Sequence, residues 1–476
     1  MERKNIWEFY SDEQLAEIET FTKNYRDFLD NGKTERECVD TTVNIIEAAG
    51  FRELPKLINE GAKLKPGDKV YHVLMNKMLI MFIIGEDKLK KGMNILGSHI
   101  DSPRLDIKQN PLYEEEGIAY LDTHYYGGVK KYQWVTIPLA LHGVMVKKDG
   151  TTVEINIGEE ESDPVFFISD LLPHLAAEQM EKKANKFIEG EALDIVVGNK
   201  PILIKTPDSL ANDDSTESEA AKNAVKKGIL EILKQSYDIE EEDFISAELE
   251  VVPAGKAREA GFDKSMILAY GQDDRVCSFA GLTALLEAKN LTRTACLIFS
   301  DKEEIGSVGA TGMHSRFFEN TVAELMNLTG DYSELNLRRV LSSSYMLSTD
   351  VGAAYDPFYK SSFEKRNTAI LSGGVLFKKF TGARGKSGSN DANAEYIGYI
   401  RKLMEEAEIR FQTAELGKVD VGGGGTIAYI LAGYGMNVID SGVPVLNMHA
   451  PWEATSKADI FEAKRAYAAF LTGLGL

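Results

Sequence analysis

The chain has 476 residues, with 54 Lys+Arg against 74 Asp+Glu for a net charge of −20; 43% of residues are hydrophobic and 27% charged. At roughly 150 residues per domain this length suggests two or three domains, and the composition excludes wholesale disorder. Such acidity argues against DNA or RNA as the main partner, because phosphate recognition needs a basic face. Three widely spaced cysteines, Cys38, Cys277 and Cys296, exclude a disulfide scaffold. The N-terminal Met-Glu-Arg-Lys-Asn-Ile-Trp-Glu lacks the apolar core of a signal peptide. The longest strongly apolar run, Met78 to Ile84, falls well short of the roughly 20 residues that span a bilayer. The expectation is a soluble cytoplasmic protein with no membrane partner.

In chain order, Ser11-x-x-Gln14 and Thr34-x-x-Glu37 are capping boxes opening two amphipathic helices. Asn31-Gly32 ends the first and Gly50 the second. Val70–Met75, Met78–Ile84 and Met93–Ser98 then read as strands, the last running into His99. The texture changes between 108 and 252. Trp134–Lys147 and Thr151–Ile157 flank Asp149-Gly150, a hairpin signal. A polar stretch follows at Asn212–Glu219, then helical residues near Ala220–Leu233. About 145 residues exceed any ordinary loop, so 108–252 is expected to be an inserted, β-rich domain between 1–107 and 253–476. Strand and helix alternate again afterwards. Met266–Tyr270, Thr294–Phe299, Ser344–Ser348, Asn437–Asp440 and Val443–Met448 read as strands. Val276–Ala288, Asp391–Phe411, a short piece opened by Gly422–Gly425 and a last segment capped by Ser456-x-x-Asp459 read as helices. The predicted fold is a three-layer αβα sandwich around a mostly parallel mixed sheet.

Ligands of open α/β sheets gather at the carboxyl ends of strands. Here those ends carry His99-Ile-Asp101-Ser-Pro, Gln272-Asp273-Asp274-Arg275, Asp301-Lys-Glu303-Glu304-Ile-Gly-Ser307, Ser348-Thr-Asp350 and Asn447-Met-His449-Ala-Pro. Alone, each has an ordinary explanation: a surface hydrogen bond, a solvated acidic pair, a core histidine. Together, two imidazoles and several carboxylates suit Zn²⁺, Co²⁺ or Mn²⁺. The carboxylates are too many for one tetrahedral zinc with an open position. Two ions sharing a bridging carboxylate use them better, holding a water between them and lowering its pKa. One of two adjacent glutamates then binds metal while the other takes the water's proton. Residues i and i+2 of an extended chain point the same way, so Asp101 can orient the His99 ring. His-Glu-x-x-His, Gly-x-Ser-x-Gly and Walker motifs are absent. The Gly422–Gly425 run allows either close approach to a substrate or a tight strand-to-helix turn.

At these residues the sequence resembles the aspartyl aminopeptidase and vacuolar aminopeptidase I family, dinuclear zinc aminopeptidases with an inserted dimerisation domain. The likeness runs in order through nearly the whole chain, with Gln-Asp-Asp closer to the vacuolar side. It implies His99 and Asp350 on one metal, Glu304 and His449 on the other, and Asp273 as the bridge, Asp274 being the less favoured of the pair. It further implies Glu303 as general base, Asp101 as the orienter of His99, a metal-bridged hydroxide as nucleophile, and a homodimer built into a tetrahedral dodecamer. His174, in Leu-Leu-Pro-His-Leu of the insertion, resembles a histidine that reaches a neighbouring subunit's active site.

The expected activity is removal of acidic or neutral N-terminal residues from peptides, with the free amine held at a metal or nearby carboxylates. An acidic side chain entering so acidic a protein needs a cation. Gly382-Ala-Arg384-Gly-Lys386-Ser-Gly388 offers Arg384 and Lys386, while Gly424 stands for backbone approach. Two other classes remain at this point: a related carboxypeptidase or amide deacylase, which a blocked N-terminus would not stop, and a non-enzymatic cage, which would hold far less metal.

Overall fold

Both N-terminal capping boxes form. Ser11 caps the helix Asp12–Asp30 and Thr34 caps Glu35–Ala48, each exchanging hydrogen bonds with the residue three positions on. These belong to a computed structural model that describes residues 4–201, 223–382 and 384–475. The chain divides into two compact units, Met1–Ser102 with Ala257–Leu476, and Pro103–Lys256. The junctions expected after 107 and before 253 fall inside two strands of the second unit, β5 (Arg104–Glu115) and β10 (Ala247–Pro253), which pair with each other.

The first unit is built on a nine-stranded sheet, counted over the described residues, in the order β1-β2-β3-β13-β4-β14-β18-β16-β17. Its members are β1 (Arg52–Glu53), β2 (Lys69–Leu74), β3 (Met78–Ile83), β4 (Met93–His99), β13 (Thr294–Ser300), β14 (Tyr345–Thr349), β16 (Val375–Lys378), β17 (Phe411–Thr413) and β18 (Asn437–Gly442). The central strands β13, β4, β14 and β18 run parallel, whereas β3 and β16 join antiparallel. Successive side chains of a strand face opposite ways, and they enter two separate cores. Leu79, Leu96, Leu297 and Leu347 pack with the helices Asp12–Asp30, Gln272–Glu287 and Lys457–Thr472. Ile80, Ile95, Ile298 and Met346 pack with Phe317–Thr329 and Glu334–Ser342. Helices therefore cover both faces, which explains why these strands read as continuous apolar runs. A smaller sheet holds β11 (Arg258–Ala260), β12 (Met266–Ala269), β15 (Gly352–Ala353), β19 (Pro444–Leu446) and β20 (Glu453–Ser456).

The second unit contains a sheet of six strands among the described residues, β8-β7-β10-β5-β6-β9, adding β6 (Ile118–Tyr126), β7 (Leu139–Val146), β8 (Thr152–Ile157) and β9 (Ile195–Gly198). β7 and β8 form the hairpin around Asp149-Gly150. Among the described residues, no helix is long and apolar enough to cross a membrane. The polar stretch Asn212–Glu219 and the helix start at Ala220 lie outside the described residues, as does Ala383; the helix is described over Ala224–Tyr237.

Several boundaries differ from the sequence reading. The helix expected over Asp391–Phe411 covers only Ala394–Glu406. Asn393 caps it by accepting from the Tyr396 N–H, and Glu408 turns to a positive φ before β17. The strand expected to run to Met448 stops at Leu446, because Asn447 and His449 take φ of 60° and 64°. Thr136, at φ 63°, similarly keeps Trp134 out of β7. Ser456 stands at the last helix's N-cap without a side-chain cap bond. Its Oγ instead pairs with Ser372, while Asp459 accepts the N–H groups of Ser372 and Gly374, each at 2.7 Å.

Candidate metal centre

Register alone aligns the first two strand ends. Ser300 of β13 lies opposite His99 of β4, and Ser348 of β14 lies opposite Gly97. The residues just beyond, Asp301 to Glu304 and Asp350, therefore emerge beside His99. The helix Gln272–Glu287 arrives with Asp273 and Asp274 still outside helical backbone geometry, so both carboxylates turn inward at its first turn. Gly271, at φ 65°, makes that entry possible. A Cβ there would collide with the Arg275 guanidinium. The fully buried Arg275 donates to the carbonyls of Gly32, Tyr270 and Gly271 and locks the turn. His449 sits in the turn between β19 and β20.

The side chains meet as a chain of contacts. His99 Nε2 lies 3.1 Å from Asp273 Oδ1, Asp273 Oδ2 lies 3.3 Å from His449 Nε2, and His449 Nε2 lies 3.4 Å from Glu304 Oε1. Asp273 thus shows one oxygen to each histidine. Among the described residues, three sets have ligand atoms within 4.8 Å of one another: His99, Asp274 and Asp350; His99, Glu303 and Glu304; Asp273, Glu304 and His449. Asp101 plays a wider part than orienting one ring. His99 Nδ1 meets the Asp101 carbonyl at 3.0 Å and its carboxylate only at 3.4 Å. That carboxylate instead accepts the N–H of Glu303 at 3.1 Å and of Glu304 at 3.2 Å.

The electrostatics are those of a carboxylate-rich site short of positive charge. Burial pushes Glu303 up to about 8 and Asp350 up to about 6, and raises Glu304 and Asp274. Burial also presses on Asp273, yet its bonds with His449 and His99 hold it well below the usual carboxylate range. Both histidines rise despite burial, His449 to about 10 through Asp273 and His99 through Asp101 and Asp273. Among the described residues, Glu304 Oε1 and both Asp274 oxygens are buried without a hydrogen-bond donor, with the weakly donating Cys277 thiol beside Asp274. Such orphaned acceptors, next to imidazoles, are what divalent ions satisfy. The residues fit the metals expected of them.

Residues 28–471 match the aminopeptidase I zinc metalloprotease (M18) family. The chain belongs to that family. It is 57% identical over 470 residues to the probable M18 family aminopeptidase 1 of Clostridium acetobutylicum, covering 99% of this chain and 98% of that one. Its fold matches the crystal structure of an M18-family aminopeptidase from Thermotoga maritima with a TM-score of 0.91 at 45% identity, covering both chains completely. The crystal structure of aminopeptidase I from C. acetobutylicum gives 0.89 at 54% identity, over 99% of this chain and 100% of that one. Membership makes the chain an aminopeptidase of a zinc-dependent hydrolase family, acting at peptide N-termini.

In this M18 member a cavity of about 390 Å³ opens onto the cluster, lined by Asp273, Glu303, Glu304, Asp350 and His449 together with Gly424 and Lys378. Among the described residues, neither Arg384 nor Lys386 lines it. Both are exposed, and Lys386 pairs with Asp391 at 2.9 Å. His174 is exposed on the second unit. The sequence reading missed Lys378, which is 3% exposed and donates to the carbonyls of Asp350 and Val351. It also missed Glu453, Asp440 and Thr426. The signal was there: Lys378, Asp440 and Glu453 are charges set in or against β-strand stretches, where a buried charge needs a reason.

Proposed function

We propose that the chain removes N-terminal residues from peptides at a site for two zinc ions. His99 and Asp350 serve one ion, Glu304 and His449 the other, and Asp273 spans both. The observation that carries this reading is Asp273, whose two oxygens face the two histidines at 3.1 and 3.3 Å. Cobalt or manganese suits the same donors. Bound ions would supply Lewis acidity to the scissile carbonyl and to the attacking water.

The chain's own groups do the rest. Glu303, at the cavity wall beside the cluster, takes a proton from water and passes it to the leaving amine. Asp101 holds the Glu303–Glu304 backbone while it orients His99. Carboxylates at the cavity wall attract the free α-ammonium of a peptide, which confines cutting to the N-terminus. Lys378 is the buried cation in the cavity lining and, rather than Arg384 or Lys386, the group we assign to an acidic side chain; Gly424 admits peptide backbone. Neutral and acidic N-terminal residues are then accepted and basic ones are poor.

We assign residues 103–256 to assembly, through a homodimer toward a tetrahedral dodecamer, with His174 reaching a neighbouring subunit's site. The edge strand β8 and the exposed Leu171, Leu172, Leu175 and Met180 support that role. Three buried free thiols suit a reducing, cytoplasmic setting. The deciding experiment pairs metal analysis with single-residue amides, free and N-acetylated. Two ions per chain and loss of activity on acetylation are expected. Undiminished cleavage of the acetylated substrate would point to a carboxypeptidase or deacylase instead.

A further inference from the structure

We infer that Glu453 is a positioning residue that clamps the backbones of Asp273 and His449 to one carboxylate, and so sets the spacing of the second metal's ligands. The inference rests on the two-ion reading above.

Glu453 opens β20 and is 1% exposed. Its Oε1 accepts the N–H of His449 at 2.7 Å, and its Oε2 accepts the N–H of Asp273 at 3.0 Å. Its own carbonyl accepts from Gln272 Nε2 at 2.6 Å. That amide also donates to the Ile267 carbonyl at 3.1 Å, and Tyr25 Oη donates to Gln272 Oε1 at 3.2 Å. The strand is fixed in turn by its pairing with β12, where Glu453 lies opposite Ala269. Two segments far apart in sequence are therefore fastened to one rigid strand.

The chemistry requires a carboxylate here. Both targets are backbone donors, so the side chain must offer two acceptors and no donor, which among uncharged and anionic side chains only Asp and Glu do. His449 has special need of one, since its φ of 64° lies where residues other than glycine are uncommon. The clamp grips backbone only, which leaves the Asp273 and His449 side chains to bind metal. Glu453 does not line the catalytic cavity, among the described residues, so it acts through the two residues it holds.

The test is a zinc titration of the metal-stripped full chain against a competing chelator, comparing Glu453→Gln with Thr455→Val. Thr455 is a buried polar residue of the same strand that bonds the Pro444 carbonyl instead. Glutamine presents an NH₂ to one of the two N–H groups and breaks half the clamp. The zinc step at the Glu304–His449 site, which depends on both clamped residues, should weaken roughly 10-fold, the scale seen when an outer-sphere partner is lost, and the step at the His99–Asp350 site, which shares only Asp273, should weaken less. The cobalt absorption of the weakened site should shift, and Thr455→Val should change neither step. Unaltered binding in Glu453→Gln would overturn the clamp, as would equal weakening of both steps with a lowered melting point of the metal-free chain. Should Glu453→Gln fail to fold, hydrogen exchange on the unmodified metal-free chain decides: slow amides at Asp273 and His449 support the clamp and fast ones overturn it. Fewer than two zinc ions on the unmodified chain would instead sink the two-ion reading itself.

Discussion

At the strand ends of the first unit, charge is buried: Asp101 and Glu453 are each 1% exposed and Asp274 is fully enclosed. In the second unit the departure runs the other way, with Leu172 52% and Leu175 68% exposed. Two of the cavities repeat the contrast. The one at the cluster is walled by carboxylates, and one in the second unit, about 710 Å³, is lined by no Asp, Glu, His, Lys or Arg among the described residues. Burying an uncompensated charge is expensive, and exposing clustered apolar surface is uncommon in a lone monomer. Each unit therefore shows by its anomaly what it lacks. The first lacks positive charge and the second lacks apolar cover.

The comparison breaks most sharply at Asp273. Replacing it with alanine removes the carboxylate that faces both histidines, so both ions should be lost together and activity with them. Asp274→Ala should be milder, because Asp273 and its two histidine contacts remain. Metal analysis that found the reverse order would mean the bridging role belongs to Asp274, which lies with His99 and Asp350. Next comes Glu303→Gln. It keeps the carbonyl oxygen but not the base, so turnover should fall at least ~10²-fold. Both ions should stay bound, and near-normal turnover with full metal would remove Glu303 from the role.

These residues were legible in the sequence because chemistry and period coincided. His99 and Asp350 end apolar runs and Glu303 follows three residues after another, and parallel register brings such ends together. Asp273 and Asp274 were legible as a pair, while the non-helical backbone that turns both inward was not. What stayed hidden depends on side chains that answer distant backbone. Glu453 follows His449 by four residues, but nothing local tells that it also holds Asp273. Lys378 reads as the polar end of a strand until the fold encloses it. Arg384 and Lys386 stood out as the cations an acidic substrate side chain would need, and Lys386 pairs with Asp391 at 2.9 Å.

Protons sharpen the contrast in a smaller way. Unfolded Glu, Asp and His titrate near ~4.3, ~3.9 and ~6.5. In the folded metal-free chain burial holds Glu303 at about 8 and Asp350 at about 6, while His449, despite burial, is lifted to about 10 by Asp273. Between pH 6 and 8 the folded chain therefore binds more protons than the unfolded one. Its stability should fall as pH rises, because the His449 contribution fades toward 10 and the Glu303 cost grows until about 8 and levels off beyond it. Zinc takes the place of those protons, so loading should release them and flatten the slope. Melting points of chelated and loaded protein at pH 6, 7 and 8 test this; a metal-free chain that gains stability with pH would contradict it.

The smallest effect on the chain itself belongs to the exposed leucines, and it separates packing from association. A buried leucine of the same unit, Leu141 at 6% exposure, should cost about 2–5 kcal/mol when cut to alanine, because it leaves a cavity. Leu171, Leu172 and Leu175 pack against little within their own chain, so Leu→Ser at each should change monomer stability by no more than about 0.5 kcal/mol. Association is where they count. Fully covering a leucine is worth about 1.5–3 kcal/mol, so three lost together amount to several powers of ten in a dimer constant. The triple serine variant should therefore keep the melting behaviour of an isolated chain and its metal content, yet lose mass in light scattering at concentrations where the unmodified protein is assembled. A variant that retains the full assembled mass would show that the apolar cover comes from elsewhere. One that melts several degrees lower as a monomer would show that these leucines belong to the fold of their own chain.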